Sequence, residues 1–349
     1  LDNDLIFVFE TLLAVLLISL MISWASIGIA NRAGLIDQPG SAPHKKHGHP
    51  VPLAGGISLF LTIVVCAWLF GAFKNPITRT TMLAALPVFV FGLWDDRKNL
   101  SPFIKLLGQV FAAILLIVQG VYIQIFESPE FFFYGTSWVY IVLDWLLTIF
   151  WVVGITNAFN FVDSMDGLAV GLGGTAASFF LLVTLDSGQY MLAQYSAVLI
   201  GICVSLYFFN APPAIFFLGD SGAQTLGFLL AVLGISYAPQ GANQASSWFV
   251  PIMLLGVPIF DAMLVIVSRA RRRKPIYAAG LDHTYHRLLQ LGFHSNRAVL
   301  VMQVTSLSLG CLAFVSLIQS PIIANLIFAL IVLTGGMTLV ILDRRTISG

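Results

Sequence analysis

The sequence is poor in charge. Only 9% of its 349 residues are Asp, Glu, Lys or Arg, against roughly 25% in a soluble domain, so water is the wrong solvent for most of the chain. The little charge there is has no dominant sign. Seventeen basic and 16 acidic residues leave a formal +1, which gives no footprint for nucleic acid. Cysteine is scarce as well. Cys66, Cys203 and Cys311 each fall inside an apolar run, without the pairing of a disulfide framework or the spacing of a metal site, and read as small core residues. No internal repeat and no low-complexity tail is present. No basic stretch precedes the first apolar run, 5–30, which is longer than a signal-peptide core and is expected to remain as a membrane helix.

What the chain has instead is apolar length, with 58% hydrophobic residues and a mean hydropathy of +0.92. A bilayer core takes about 20 mostly apolar residues per helix. Runs of that kind lie near 5–30, 53–73, 80–94, 102–126, 133–153 (interrupted by Asp144), 168–185, 190–209, 222–238, 247–267, 298–318 and 321–342. They are continuously apolar and not alternating, which indicates helices and not barrel strands. The sequence therefore predicts an all-α polytopic membrane protein of about eleven transmembrane helices, with residues 1–349 forming one integral membrane domain.

Charge placement predicts orientation. With the amino terminus outside, loops 31–52, 95–101, 154–167, 210–221, 268–297 and the tail 343–349 share one side. With Lys105 just beyond, that side holds 15 of the 17 basic residues, and only Lys74 and Arg79 fall opposite. The positive-inside rule makes it cytoplasmic, and the carboxyl terminus with it.

The concentrated polar motifs fall on that same side. Asp95-Asp96 closes the third run in FGLWDDRKNLSP. Adjacent carboxylates there either hold a hard cation or form a solvated helix end paired with Arg97 and Lys98. The segment NAFNFVDSMDGLAVGLGG places Asn157, Asn160, Asp163 and Asp166 three apart, on one side of a helix. Two Asn and two Asp without Lys or Arg are more than a helix cap requires, and point to a site. In NAPPAIFFLGDSGA, Pro212-Pro213 breaks a helix and sets Asn210, Phe217, Asp220 and Ser221 around the next helix start. An Asp there caps the helix or binds Mg2+ through oxygen. The longest loop, SRARRRKPIYAAGLDHTYHRLLQLG, joins a basic run, Arg269 to Lys274, to Asp282, His283, His286 and Arg287. Two His and an Arg on one turn suit a phosphate, whereas zinc would need a further soft ligand. Finally, HKKHGHPVPLAGGISLF carries His44, Lys45, Lys46, His47 and His49, either a contact to phosphate and headgroups or a solvated loop. Carboxylates in three loops with cations in a fourth suggest Mg2+ and a polyphosphate at a membrane interface.

Taken together, Asp95-Asp96, N-x-x-N-x-x-D-x-x-DGLA from Asn157, N-x8-GD from Asn210, the basic loop ending DHTYHRL, and PVPLAGGISLF resemble the polyprenyl-phosphate N-acetylhexosamine-1-phosphate transferases. The resemblance spans roughly residues 31–300 in the right order. It implies transfer of N-acetylhexosamine-1-phosphate from a UDP-sugar, foremost UDP-GlcNAc, to undecaprenyl phosphate. The products would be undecaprenyl-diphospho-sugar and UMP, the reaction would use Mg2+ or Mn2+, and it would begin a cell-surface glycan at the bacterial cytoplasmic membrane. Carried over residue by residue, Asp95 and Asp96 become acceptor-side catalytic carboxylates, Asp220 with Asp96 the metal ligands, and Asp163, His283 and His286 catalytic groups. Asn157, Asn160, Asp166, Asn210, Phe217, Arg287 and Lys45 become substrate contacts, with the Phe217 ring near uracil. Membrane lipids, and as an open alternative a second copy of the chain, are the remaining expected partners.

Tyr285 stands where many members carry a further histidine, which turns the reading away from the lipid I synthase (phospho-N-acetylmuramoyl-pentapeptide transferase) branch. Asp144 and Asp261, set within apolar runs, raise a membrane transporter as the rival. Transporter sites, however, sit near the bilayer midplane on broken helices of repeated halves. A phosphatidyl-alcohol transferase would need a DG-x2-AR-type cluster, which this sequence lacks.

Overall fold

The structure, a computed structural model, describes residues 3–39, 48–127, 138–239, 244–275 and 280–345. These residues form fourteen α-helices and one short hairpin. The helices are α1 (Asn3–Ala33), α2 (Gly55–Leu69), α3 (Pro76–Lys98), α4 (Pro102–Val118), α5 (Trp138–Val162), α6 (Leu168–Asp186) and α7 (Tyr190–Asn210). They continue with α8 (Gly219–Ser236), α9 (Gln244–Ser247), α10 (Val250–Leu254), α11 (Gly256–Arg271), α12 (Thr284–Gln290), α13 (Ser295–Leu317) and α14 (Pro321–Arg345). The hairpin pairs β1 (Ile36–Asp37) with β2 (Val51–Pro52) in antiparallel register.

Seven helices (α1, α3, α5, α6, α7, α13 and α14) are long and apolar enough to cross a membrane, while α2 and α4 are apolar but shorter. Against the expected eleven, seven helices among the described residues meet the length and apolarity of a span. The run expected over 247–267 is one place where the difference arises. It is divided among α9, α10 and α11, because Pro251 and Pro258 cannot donate to the preceding turn. Likewise 154–167, expected as a loop, remains helical through Val162, so Asn157 and Asn160 ride on the last turns of α5.

The centre of the bundle is α8, packed against α2, α3, α5, α6 and α7 and buried from Ser221 to Gly234. Small residues let it sit there. A Cβ on Gly227 would come 3.0 Å from the Ile155 carbonyl oxygen. α3 begins under Asn75, whose side chain accepts the Ile77 and Thr78 N–H groups at 2.9 and 3.3 Å. It ends at Asn99, in the left-handed conformation. The carboxyl ends of α3 and α5 therefore meet the amino ends of α4 and α8.

The two carboxylates suggestive of a transporter are both engaged. Asp144, fully buried, accepts the backbone N–H groups of Ile125, Phe126 and Glu127 at 3.0–3.1 Å, anchoring the chain after α4. Asp261 binds the start of α12.

Candidate active site

A solvated helix end is one of the two expectations for Asp95, and the structure corrects it. It is 6% exposed because α4 folds back across the end of α3. Its Oδ1 accepts the Leu100 N–H at 2.5 Å, and its Oδ2 lies 2.5 Å from Lys105 Nζ. The same Nζ lies 2.5 Å from Asp220 Oδ2, so one ammonium bridges carboxylates from α3 and α8. Asp96 takes a different position. Oδ1 accepts the Asp220 N–H at 2.7 Å, and Oδ2 accepts the Ser221 N–H at 3.2 Å and the Ser221 hydroxyl at 2.5 Å. No side chain from α8's own N-cap residue, Leu218, caps that helix. Asp96 does so from a neighbouring helix, satisfying orphan donors and complementing the positive dipole end. Such closeness requires glycine, since a Cβ on Gly92 would sit 2.5 Å from Ser221 Cα, and one on Gly56 2.1 Å from Ser221 Oγ.

From α5, Asn160 hydrogen-bonds Asp220 from within the helix's last turn. Asp163 follows the last turn. Its carboxyl is pushed up to about 8 by burial and then by the negative charges of Asp220, Asp96 and Asp166, so three carboxylates act on it. Asn157 lies deeper. Its amide exchanges hydrogen bonds with Gln109, which also reaches Gln224, making an amide bridge across α4, α5 and α8. Asn210 likewise has both ends engaged by backbone. Oδ1 accepts the Gly167 N–H at 3.0 Å and Nδ2 donates to the Phe216 carbonyl at 3.1 Å. These two amides, expected as substrate contacts, hold the walls of the site in place. Phe217 is fixed through its backbone, donating to the Pro52 carbonyl at 2.9 Å and accepting the Gly55 N–H at 3.1 Å. The early P-x-x-GG segment is therefore stitched to the segment that leads into α8 and Asp220.

The histidine motif divides. His283 and His286 lie with ring centroids 5.8 Å apart, and the Phe161 ring meets His283 edge-on at 5.9 Å, two residues before Asp163. Arg287, expected beside them as an anion contact, turns the other way. It is 2% exposed and donates to the Asp282 and Leu342 carbonyls and to Ser268 Oγ at 3.2, 3.0 and 2.7 Å. Its guanidinium lies 3.6 Å from Asp343. Much of the basic run is also internally paired: Arg269 and Arg272 with Asp282, and Arg271 with Asp343. This network ties α11, α12 and α14 together. Tyr285 is buried, its hydroxyl 3.0 Å from Ser295 Oγ on α13, so it anchors α12. Lys45 lies outside the described residues.

Sequence reasoning gave no site role to Lys105, Phe161 or Ser221, nor any particular contact to Asp261. Lys105 enters the sequence reading only as one of the counted basic residues, Ser221 and Asp261 stand out without their partners, and Phe161 carries no sequence signal. Among the described residues, no three acidic, histidine or cysteine side chains form a ready coordination set. The clustered donors are nonetheless oxygens only, the chemistry of a hard cation. A cavity of about 430 Å³ lies at the opposite ends of α3 and α8, lined in part by Asn75, Thr78, Gln189 and Tyr195. It holds no carboxylate or cationic side chain and is separate from this cluster.

Membrane-length helices around a carboxylate-lined end define a membrane-embedded polar site, and comparison with known proteins specifies its class. Residues 78–238 match glycosyl transferase family 4, the stretch that contains every carboxylate of the cluster. A probable undecaprenyl-phosphate N-acetylglucosaminyl 1-phosphate transferase of Bacillus subtilis is 32% identical, over 86% of this chain and 83% of its own. A decaprenyl-phosphate N-acetylglucosaminephosphotransferase of Mycobacterium tuberculosis is 33% identical, over 91% and 84%. The undecaprenyl-phosphate alpha-N-acetylglucosaminyl 1-phosphate transferase of Escherichia coli K12 is 28% identical, over 89% and 85%. The chain belongs to glycosyl transferase family 4. It is a phosphoglycosyl transferase and a multi-pass bacterial membrane protein.

Proposed function

We propose that this enzyme transfers N-acetylglucosamine-1-phosphate from UDP-GlcNAc to undecaprenyl phosphate, releasing UMP and starting a cell-surface glycan on the cytoplasmic face. The observation that carries this reading is the meeting of Asp95, Asp220 and Lys105 within 2.5 Å contacts at the end of helices that match the family.

The donor's sugar-linked phosphorus would be attacked by an oxygen of the lipid phosphate. One P–O bond forms, the bond to the uridylyl phosphate breaks, and UMP carries away the charge. A phosphomonoester has a second pKa near about 6, so the acceptor is mostly dianionic at neutral pH and needs positioning more than deprotonation. Asp95 and Lys105 orient it, and Asp95 takes up any residual proton. Mg2+ or Mn2+, when bound, supplies charge neutralisation at the phosphate oxygens. Asp220 and Asp163 would hold it, while Asp96 fixes the backbone of Asp220. His283 and His286 would face the donor diphosphate, where stabilising the charge that passes to the departing UMP lowers the barrier most.

Purified protein in mixed micelles, given undecaprenyl phosphate and a panel of UDP-sugars, should release UMP fastest with UDP-GlcNAc and none after chelation. Faster release with UDP-MurNAc-pentapeptide would reject the donor assignment.

A further inference from the structure

Asp261 contacts no other member of the carboxylate cluster. It is fully buried in α11, and both its oxygens face the turn that starts α12. Oδ1 accepts the Thr284 N–H at 2.6 Å, and Oδ2 lies 2.9 Å from His283 Nδ1. A carboxylate can only accept, so Nδ1 must carry a proton whenever this contact is made. Nε2 is then the nitrogen left for other partners, whether it is bare or protonated. The ring is also held by the edge of Phe161 at 5.9 Å, next to Asp163.

We propose that Asp261 is a positioning residue for the transfer, fixing the tautomer and ring orientation of His283 so that Nε2 addresses the phosphoryl groups. A buried carboxylate behind an imidazole does this in other histidine sites, where it sets which nitrogen meets the reactant. The proposal rests on the catalytic reading of His283.

The geometry makes a sharp prediction for Asp261→Asn. The Thr284 N–H still requires an acceptor, so the oxygen of the new amide stays on it and the NH2 turns to His283. That NH2 donates to Nδ1, which must give up its proton, and the neutral ring becomes the Nε2–H tautomer. Both hydrogen bonds survive, so the fold should not suffer, yet the nitrogen facing substrate has the wrong proton.

Nitrogen-15 NMR of histidine-labelled enzyme in detergent, at a pH where the ring is neutral, reads this directly, with His283→Gln identifying the signal. Wild type should show Nδ1–H and Asp261→Asn should show Nε2–H. Turnover of Asp261→Asn should fall by about 10²–10⁴, the span of lost acid–base assistance, with donor KM and Tm little changed. The double variant Asp261→Asn/His283→Gln should be no slower than His283→Gln alone. Nε2–H in wild type, or an unchanged tautomer in Asp261→Asn, would overturn the inference. So would turnover that is lost in His283→Gln but kept in Asp261→Asn, and that result would leave the catalytic reading of His283 intact. Full turnover in His283→Gln would instead remove His283 from the reaction, and the positioning role with it.

Discussion

Asp96 on α3 accepts the backbone N–H of Asp220 on α8 at 2.7 Å. The first carboxylate thus builds the platform on which the second stands. Removing Asp96 should cost structure before it costs chemistry. Asp96→Ala strips the acceptor from two backbone N–H groups and the Ser221 hydroxyl. Hydrogen bonds to a charged group contribute about 1.5–3 kcal/mol each, so thermal unfolding in detergent should move down by several degrees. Asp96→Asn, which keeps an acceptor oxygen, should recover part of that loss.

Asp95 should behave in the opposite way. In Asp95→Asn the Leu100 N–H keeps an acceptor, and Lys105 keeps Asp220, so stability should fall by only about 1–2 kcal/mol. Turnover should drop sharply while UDP-sugar binding, followed calorimetrically, is retained. Lost donor binding would move Asp95 to the donor side.

The elevated carboxyl of Asp163 gives a pH dependence with a definite sign. Burial and then the charges of Asp220, Asp96 and Asp166 push it up to about 8. A cation binds the deprotonated form. Below about 8 the ion must displace a proton, so apparent Mg2+ affinity should rise through pH 6 to 8 and level off above that. Titrations in buffers of different ionisation enthalpy should detect proton release below the midpoint, and Asp163→Asn should reduce that release.

Arg287 is a brace for α12, and lysine cannot reproduce its forked contacts to Ser268, Leu342 and Asp282. Arg287→Lys should lower Tm by several degrees and leave donor Kd unchanged. Weakened donor binding at unchanged Tm would return Arg287 to the substrate.

Much of this was legible in the sequence because carboxylates and amides in an apolar chain are expensive unless used. That is why Asp95, Asp96, Asp163 and Asp220 stand out, and why the apolar runs trace the helices. What stayed hidden depends on partners distant in the chain. Arg287 reads as a phosphate ligand until α14 is known to place Asp343 and the Leu342 carbonyl behind it. Asn210 reads as a substrate amide until Gly167 and Phe216 are seen at its two ends. Lys105 disappears into the charge asymmetry of the loops until α4 folds back over α3. The division of the run at 247–267 was hidden for another reason: prolines are tolerated within membrane helices, so Pro251 and Pro258 alone did not predict a break.

The central claim is that a sugar phosphate moves, and not a sugar alone. UDP-GlcNAc labelled with phosphorus-32 in its sugar-linked phosphate separates the two outcomes in one extraction. With undecaprenyl phosphate and Mg2+, the label should enter the lipid phase one-for-one with unlabelled UMP in water, and Asp220→Asn should abolish both. Label remaining in the aqueous phase as UDP while sugar enters the lipid would contradict the account.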